Sequence, residues 1–356
     1  MSDFQELREE FERGRSGRNA GIKMGFNRLN RFIGIRKKIY THVFGATGSG
    51  KTSYVHDAYI LNPFDWIKSR QNTTGTKLKV ILFSQERSKK YVETKWVSRK
   101  IFLDTGILIP LQKMLGWWDE KLTDEEMKLI DRYEGYMDEL TGMVDIVEGA
   151  QNPTGIFKYV KKYAEEHGKF EKIDEFKQAI YTANDSNEIV IPIVDTLGLT
   201  KLEGKMSSKK EAIDKVSEYF QIFRDQMHYS PIGISQVTRN MSNPIYQKQD
   251  NFEPTIDDSK ESGRPNEDAD VVTSLFDPLR YHTNDYSYNA EAFRNPNTGA
   301  KGFRSIKILK NTYGEDDIRI GMAFQGATGI FKELPKPADL TDRDIEAVID
   351  GSYFLQ

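Results

Sequence analysis

Apolar and polar positions recur with two different periods along the chain, and the changes of period mark out its elements. Phe4, Leu7 and Phe11 fall at i, i+3 and i+7, which predicts a short N-terminal helix opened by Ser2-x-x-Gln5 as a capping box. So narrow an apolar stripe needs a partner, either its own domain or a neighbouring subunit. Gly14, Gly17 and Gly21 then form a flexible joint. From Ile39 the pattern becomes α/β. Ile39-Tyr40-Thr41-His42-Val43-Phe44 reads as a strand running into a glycine loop, and a helix follows from Thr52 to Leu61, stopped by Asn62-Pro63. Val80-Ile81-Leu82-Phe83 is a second strand.

Residues 89–180 read as mainly helical. Thr123-x-x-Glu126 caps one helix with Leu129, Ile130, Tyr133 and Met137 on a face, and Pro153 opens another with Ile156, Phe157, Val160 and Ala164 inward and Gly168 as its stop. Ile189 to Val194 is a third strand, although Pro192 lacks a ladder donor. Ser208-x-x-Glu211 starts a helix carrying Ile213, Val216, Phe220, Phe223 and Met227, and Ile232-Gly233-Ile234-Ser235 is a fourth strand. Asn240 to Asp257 reads as a polar mobile loop. Strands near 271–276, 304–309 and 318–324 complete a sheet, and a last helix has Thr341 as cap and Leu340/Ile345 as staple. Strands alternating with helices predict a mostly parallel twisted sheet flanked by helices. The chain divides into an arm (1–20), one large α/β domain (21–334) and a tail helix (335–356).

Composition narrows the classes. The 356 residues are 38% apolar, 29% charged and 12% aromatic, which suits a globular chain. No run approaches the roughly 18 apolar residues of a membrane span. Met1-Ser2-Asp3-Phe4-Gln5-Glu6 is polar and acidic, unlike a secretory signal. Zero cysteines exclude disulfides, thiolate zinc sites and cysteine nucleophiles. The five histidines (His42, His56, His167, His228, His282) lie too far apart to suggest a metal cluster. A cytosolic chain is expected, so the Asn-x-Thr/Ser triplets at Asn72 and Asn240 carry no meaning. With a net charge of −3, any nucleic-acid contact must come from a local basic patch.

The chemistry concentrates at one place. Gly45-Ala46-Thr47-Gly48-Ser49-Gly50-Lys51-Thr52 matches G-x-x-x-x-G-K-[ST] in full, directly after a strand and opening a helix. Glycines let backbone N–H groups turn around phosphates, and the helix N-terminus adds partial positive charge. Lys51 would bridge the terminal phosphates of ATP, and the Thr52 hydroxyl would be a ligand of Mg²⁺. Asp195, closing a strand, is the natural acid for the Mg²⁺ water shell, with a turn or helix cap as the plainer reading. Glu86, just after the second strand, can orient and deprotonate an attacking water; a solvated turn residue is the alternative. Gln236, ending the fourth strand, either senses the γ-phosphate or is an ordinary strand-end residue.

Together these segments resemble the helicase domain of the DnaB family of hexameric replicative helicases, a RecA-like P-loop fold, from about Gly21 to Phe331. Gly21-Ile22-Lys23-Met24-Gly25-Phe26-Asn27-Arg28-Leu29-Asn30 resembles the segment before the family's phosphate loop. Phe83-Ser84-Gln85-Glu86-Arg87-Ser88 resembles the strand with its catalytic glutamate, Asp195-Thr196-Leu197-Gly198-Leu199 its Mg²⁺-site aspartate, and Ile234-Ser235-Gln236-Val237-Thr238-Arg239 its glutamine sensor. Asp258-Ser259-Lys260-Glu261-Ser262-Gly263-Arg264-Pro265-Asn266-Glu267-Asp268-Ala269-Asp270 is similar to the family's D-L-R-E-S-G-x-I-E-Q-D-A-D stretch, which generic P-loop ATPases lack. The resemblance implies an ATP hydrolase with Mg²⁺, assembled as a homo-oligomeric ring (a hexamer by the family's pattern), translocating 5′ to 3′ on single-stranded DNA, with a primase or loader as partner and no membrane.

There are departures. The resemblance implies a member lacking the family's N-terminal primase-contacting domain, and the arm at Phe4–Arg15 resembles the family's linker helix, which docks on the adjacent subunit. Where the family has Lys-x-Arg reaching the neighbouring nucleotide, Lys310-Asn311-Thr312 keeps the lysine and puts threonine at the arginine position. Such a finger carries a factor of about 10³–10⁵ in other P-loop enzymes. Arg304, Arg319, a partner protein or slow turnover would have to make up for it.

By analogy with ring helicases, DNA contacts fall on loops after the sensor strands, at Arg239, Asn240, Lys248, Lys260 and Arg264, with Lys201, Lys205, Lys209 and Lys210 as a second basic cluster. For any one of them a solvated surface charge is the simpler reading. Two other functions remain open: a RecA/RadA-like recombination ATPase, which the Glu-Ser-Gly…Asp-Ala-Asp stretch disfavours, and a nucleotide-gated DNA-binding assembly protein with weak hydrolysis, which Thr312 favours.

Overall fold

The structure, a computed structural model, describes residues 3–17, 19–171, 180–237, 253–259, 262–281, 283 and 288–355. Its strands are β1 (Thr41–Gly45), β2 (Lys77–Ser84), β3 (Val144–Glu148), β4 (Gly168–Glu171), β5 (Ile180–Ala183), β6 (Glu188–Asp195), β7 (Ile232–Gln236), β8 (Val271–Phe276), β9 (Phe303–Asn311), β10 (Ile318–Gln325) and β11 (Ile330–Glu333). Nine form one sheet in the order β11-β10-β9-β8-β1-β7-β6-β2-β3, and β4 and β5 form a separate hairpin. From β8 to β3 every neighbouring pair is parallel. The β9–β11 edge is antiparallel.

Burial on both faces explains why the central strands read as continuous apolar runs rather than alternating ones. Successive strand residues feed opposite cores. Val43, Leu82 and Ile193 pack beneath Tyr54, Leu61 and Trp96, while Phe44, Phe83 and Val194 pack against Ile156, Val160, Phe220 and Phe223. A third cluster, with Phe102, Phe293, Phe303 and Phe354, fixes the C-terminal helix Asp342–Asp350 and the residues after it against the antiparallel edge.

The structure departs from the periodicity in three places. The helix from Lys51 does not stop at Asn62-Pro63; it passes through a π turn at Asp57–Leu61 into Asn62–Lys68, with Pro63 in the first turn of that last segment, where a missing donor is tolerated. The stretch read as helical holds β3 and β4 and ends at the first residue of β5; the edge strand β3 is only partly buried, so its pattern imitates an amphipathic helix. β11 was not marked by the pattern. Pro192 fits because the β6–β7 ladder runs only from Ile193 to Asp195, leaving the proline just outside it.

The caps at Thr123, Ser208 and Thr341 form as expected, and at Thr341 the Asp344 side chain completes a capping box. The N-terminal helix is Asp3–Arg15, and its stripe does not dock on its own domain: Phe4 is 70% and Phe11 61% exposed. Its expected cap, Ser2, lies outside the described residues, as do 240–252 of the polar loop.

Candidate active site

The carboxyl ends of β1, β7, β6 and β2 lie side by side, the position where open parallel sheets present their ligands. β1 delivers the phosphate loop. A Cβ on Gly45 would come within 2.5 Å of the Leu275 carbonyl, and Gly50 has φ +96° with the Phe331 ring 2.9 Å from where its Cβ would stand, so both positions require glycine. The helix opens at Lys51 with no side-chain cap, which leaves its first N–H groups for an anion.

Lys51 folds back over this loop, its Nζ donating to Gly45 O and Ala46 O at 2.9 Å each. Burial pushes its ammonium down to about 8, against the pull of Asp195 and Glu86. Asp195 ends β6. Burial lifts its carboxyl to about 6, and the hydroxyl of Thr52, donating to it, works in the other direction. The bonded pair of hard oxygens, Thr52 hydroxyl and Asp195 carboxylate, fits a Mg²⁺ site completed by phosphate oxygens and water. Among the described residues no cluster of three or more His, Cys, Asp or Glu could hold a metal alone.

Glu86 lies just past β2. Gln85 N donates to Asp195 O at 2.8 Å, tying the two strand ends together. The Glu86 carboxylate is half exposed and 3.3 Å from Arg87 Nη2, and the Arg87 guanidinium lies over the Tyr91 ring at 4.9 Å. Lys51, Thr52, Glu86, Asp195 and Gln236 line one cleft of 340 Å³.

The other expected site residues lie elsewhere. Lys310, on β9, donates to Asn266 O and Glu267 O at 3.1 and 2.8 Å and does not line the cleft of its own chain. Thr312 N donates to Asp270 O at 2.9 Å. Arg304 is buried, bonded to Ser49 O at 3.1 Å and 3.3 Å from Asp277, and Arg319 forks onto Glu253. Both candidates for the missing arginine are therefore engaged within the chain. Arg264 bonds Asp268 at 3.2 Å. Arg239, Asn240, Lys248 and Lys260 fall outside the described residues.

Two contacts escaped the sequence reading. Arg280 donates to the Thr47 carbonyl, bracing the phosphate loop from β8's side. His42, in β1, joins Asn266 at 2.5 Å to Ser235 at 2.6 Å and is held neutral by burial, its pKa pushed down to about 4. It links the Gln236 strand to the Arg264–Asp268 helix. A lone histidine in a β-rich run gives no hint of either partner.

A model of the DnaB-like helicase C-terminal domain matches residues 21–333. The chain belongs to this family. The solved structure of another protein's ATPase domain has the same fold, with TM-score 0.65, 17% identity, and 94% of this chain and 99% of that one covered. So does a DnaB-like replicative helicase described with its interactions with primase, at TM-score 0.64 and 17% identity, covering 94% of this chain and 67% of that one. No curated protein sequence matches. The protein is thus an ATP-driven DNA helicase of replication. DnaB-like helicases act as oligomeric rings on DNA and use a nucleotide, typically with Mg²⁺. Among the described residues no helix is long and apolar enough to cross a membrane.

Proposed function

We propose that this DnaB-like helicase is a ring-forming motor that hydrolyses ATP at subunit interfaces and moves 5′ to 3′ along single-stranded DNA. The observation that carries the reading is the convergence of four parallel strand ends on one cleft: the phosphate loop with Lys51 and Thr52, Glu86, Asp195 and Gln236. Residues 45–52 cradle the triphosphate. Bound Mg²⁺, held by Thr52 and through water by Asp195, would neutralise charge on the phosphate oxygens. Lys51 leaves its loop carbonyls to meet the terminal phosphates, and Glu86 orients the attacking water and accepts its proton. Gln236 contacts the γ-phosphate region and passes its state along β7 towards the loop that follows.

Lys310 acts on the nucleotide of a neighbouring copy, and the exposed Phe4–Phe11 stripe docks on that neighbour. Arg239, Lys248, Lys260 and Arg264 face the DNA backbone in the channel, and a primase or loader is the partner protein. The engagement of Arg304 and Arg319 within the chain favours a second reading, a nucleotide-gated assembly protein with slow turnover. Strand displacement of a forked duplex, with Lys51→Ala as control, separates the two. ATP-dependent unwinding supports the motor; stable ATP-dependent oligomers without unwinding support the second reading.

A further inference from the structure

The cleft does not end at the phosphate loop. It continues between the Lys51–Leu61 helix and the helix Lys89–Thr105, where Ser53, His56 and Asp57 face Lys95, Trp96 and Arg99. These positions recur at helical spacing on both sides, so the two faces line one chamber. The β10–β11 turn closes its flank: a Cβ on Gly329 would stand 2.7 Å from Lys95 Cε and 2.8 Å from Ser53 Oγ.

The polar groups in the chamber are only partly matched to one another. Asp57 accepts from Arg99 Nε at 2.5 Å and from Phe331 N at 2.7 Å. Arg99 Nη2 donates to Asn62 Oδ1 at 2.7 Å, and Lys95 Nζ donates to Ser53 Oγ at 2.9 Å. Trp96 Nε1 donates to His56 Nδ1 at 3.2 Å, which places the proton of the neutral ring on Nε2. Two groups are left over: among the described residues, His56 Nε2 and Arg99 Nη1 are buried without a hydrogen-bond partner, on residues 6% and 3% exposed. Both are donors, and Lys95 has two further N–H bonds to give. Lys95 and Arg99 against Asp57 leave the chamber one positive charge in excess.

Unpaired buried donors are costly, and a chamber lined with them under net positive charge is matched to an anion rich in acceptor oxygens. Thr52, Glu86 and Arg87 line the same cleft, so the chamber is continuous with the place where a γ-phosphate would be cleaved. We propose that this chamber is a second phosphate site, which holds inorganic phosphate released in the adjoining cleft before it leaves the protein. The site rests on the reading of that cleft as the nucleotide site. Lys95 and Arg99 supply charge, and His56, which burial keeps neutral at physiological pH, supplies a directed N–H.

The test uses the full chain saturated with Mg²⁺ and a non-hydrolysable ATP analogue, with inorganic phosphate as the probe against chloride at equal ionic strength. Phosphate is expected to raise the melting midpoint without displacing the analogue. Lys95→Met should weaken phosphate binding about tenfold, the loss of one charge-assisted hydrogen bond, while Lys95→Arg retains it. Phosphate that competes with the analogue, gives no shift beyond chloride, or binds Lys95→Met as tightly as wild type overturns the proposal. Should Lys95→Met fail to fold, the wild-type competition decides alone: joint occupancy supports the second site and displacement rejects it. An analogue that does not bind at all removes the nucleotide reading itself, a result distinct from these.

Discussion

The parallel half of the sheet and its antiparallel edge handle charge in opposite ways. At the carboxyl ends of β1, β2, β6 and β7, Lys51 and Asp195 are buried and their ionisation is displaced in opposite directions, down to about 8 and up to about 6. Lys51 has backbone carbonyls where a substrate's oxygens would go. Such a site is organised before the substrate arrives. On the edge, Arg304, Lys307 and Arg319 each meet a carboxylate of their own chain. Lys310 instead has only two backbone carbonyls as hydrogen-bond partners among the described residues. Its neutral contacts are easily exchanged for a phosphate. The comparison separates a cleft assembled within one chain from a single cation presented outward by the same sheet.

Breaking the cleft should have the largest effect. Lys51→Ala is expected to abolish ATP hydrolysis and fork unwinding, read by phosphate release and strand displacement. Glu86→Gln should lower turnover by about 10²–10⁴-fold while leaving binding of a fluorescent ATP analogue intact; normal turnover would remove Glu86 from its role. Lys310→Ala should lower the rate of the assembled oligomer by about 10²-fold. Its melting midpoint should hold to within about 0.5 kcal/mol of stability, because the lysine contacts only backbone near the surface.

Protonation sharpens the same contrast. The folded Asp195 carboxyl, at about 6, lies above its ordinary 3.8, so between these values the native state holds more protons than the unfolded chain. Stability of the nucleotide-free protein from this group therefore falls as pH rises from about 4 to about 6, and Asp195→Asn should flatten that part of the melting profile. Lys51 works in the reverse sense, adding stability as pH rises from about 8 to 10.5. Affinity for Mg²⁺-ATP should weaken as pH drops through about 6, when Asp195 takes up its proton. The smallest effect on folding belongs to the arm: Phe11→Ser, at a side chain 61% exposed, should leave the melt nearly unchanged yet weaken assembly in sedimentation.

The parts of the fold and site that could be read in advance are those written contiguously. The phosphate loop is eight consecutive residues, and Glu86, Asp195 and Gln236 could be located because each follows an apolar run that must be a buried strand. The resemblance added Lys310 and favoured the chemical roles of Glu86 and Gln236 over the plainer ones. What escaped depends on residues distant in sequence. Ser53 and Asp57 meet Lys95 and Arg99 across some 40 positions, and each reads alone as a polar residue on an amphipathic helix. The π turn at Asp57–Leu61 has no sequence mark beyond Pro63, which by itself signals a helix stop. β3 was hidden by its half-buried edge position, and Pro192 became intelligible only with the β6–β7 register.

The claim that a neighbouring copy completes the cleft is tested most directly by mixing Lys310→Ala protein with Glu86→Gln protein and measuring ATP hydrolysis. Each variant alone should be nearly inactive. At an interface where an intact cleft from the first meets an intact lysine from the second, activity should return, up to about a quarter of wild type for random assembly. A mixture no more active than its two components would contradict a trans-acting Lys310.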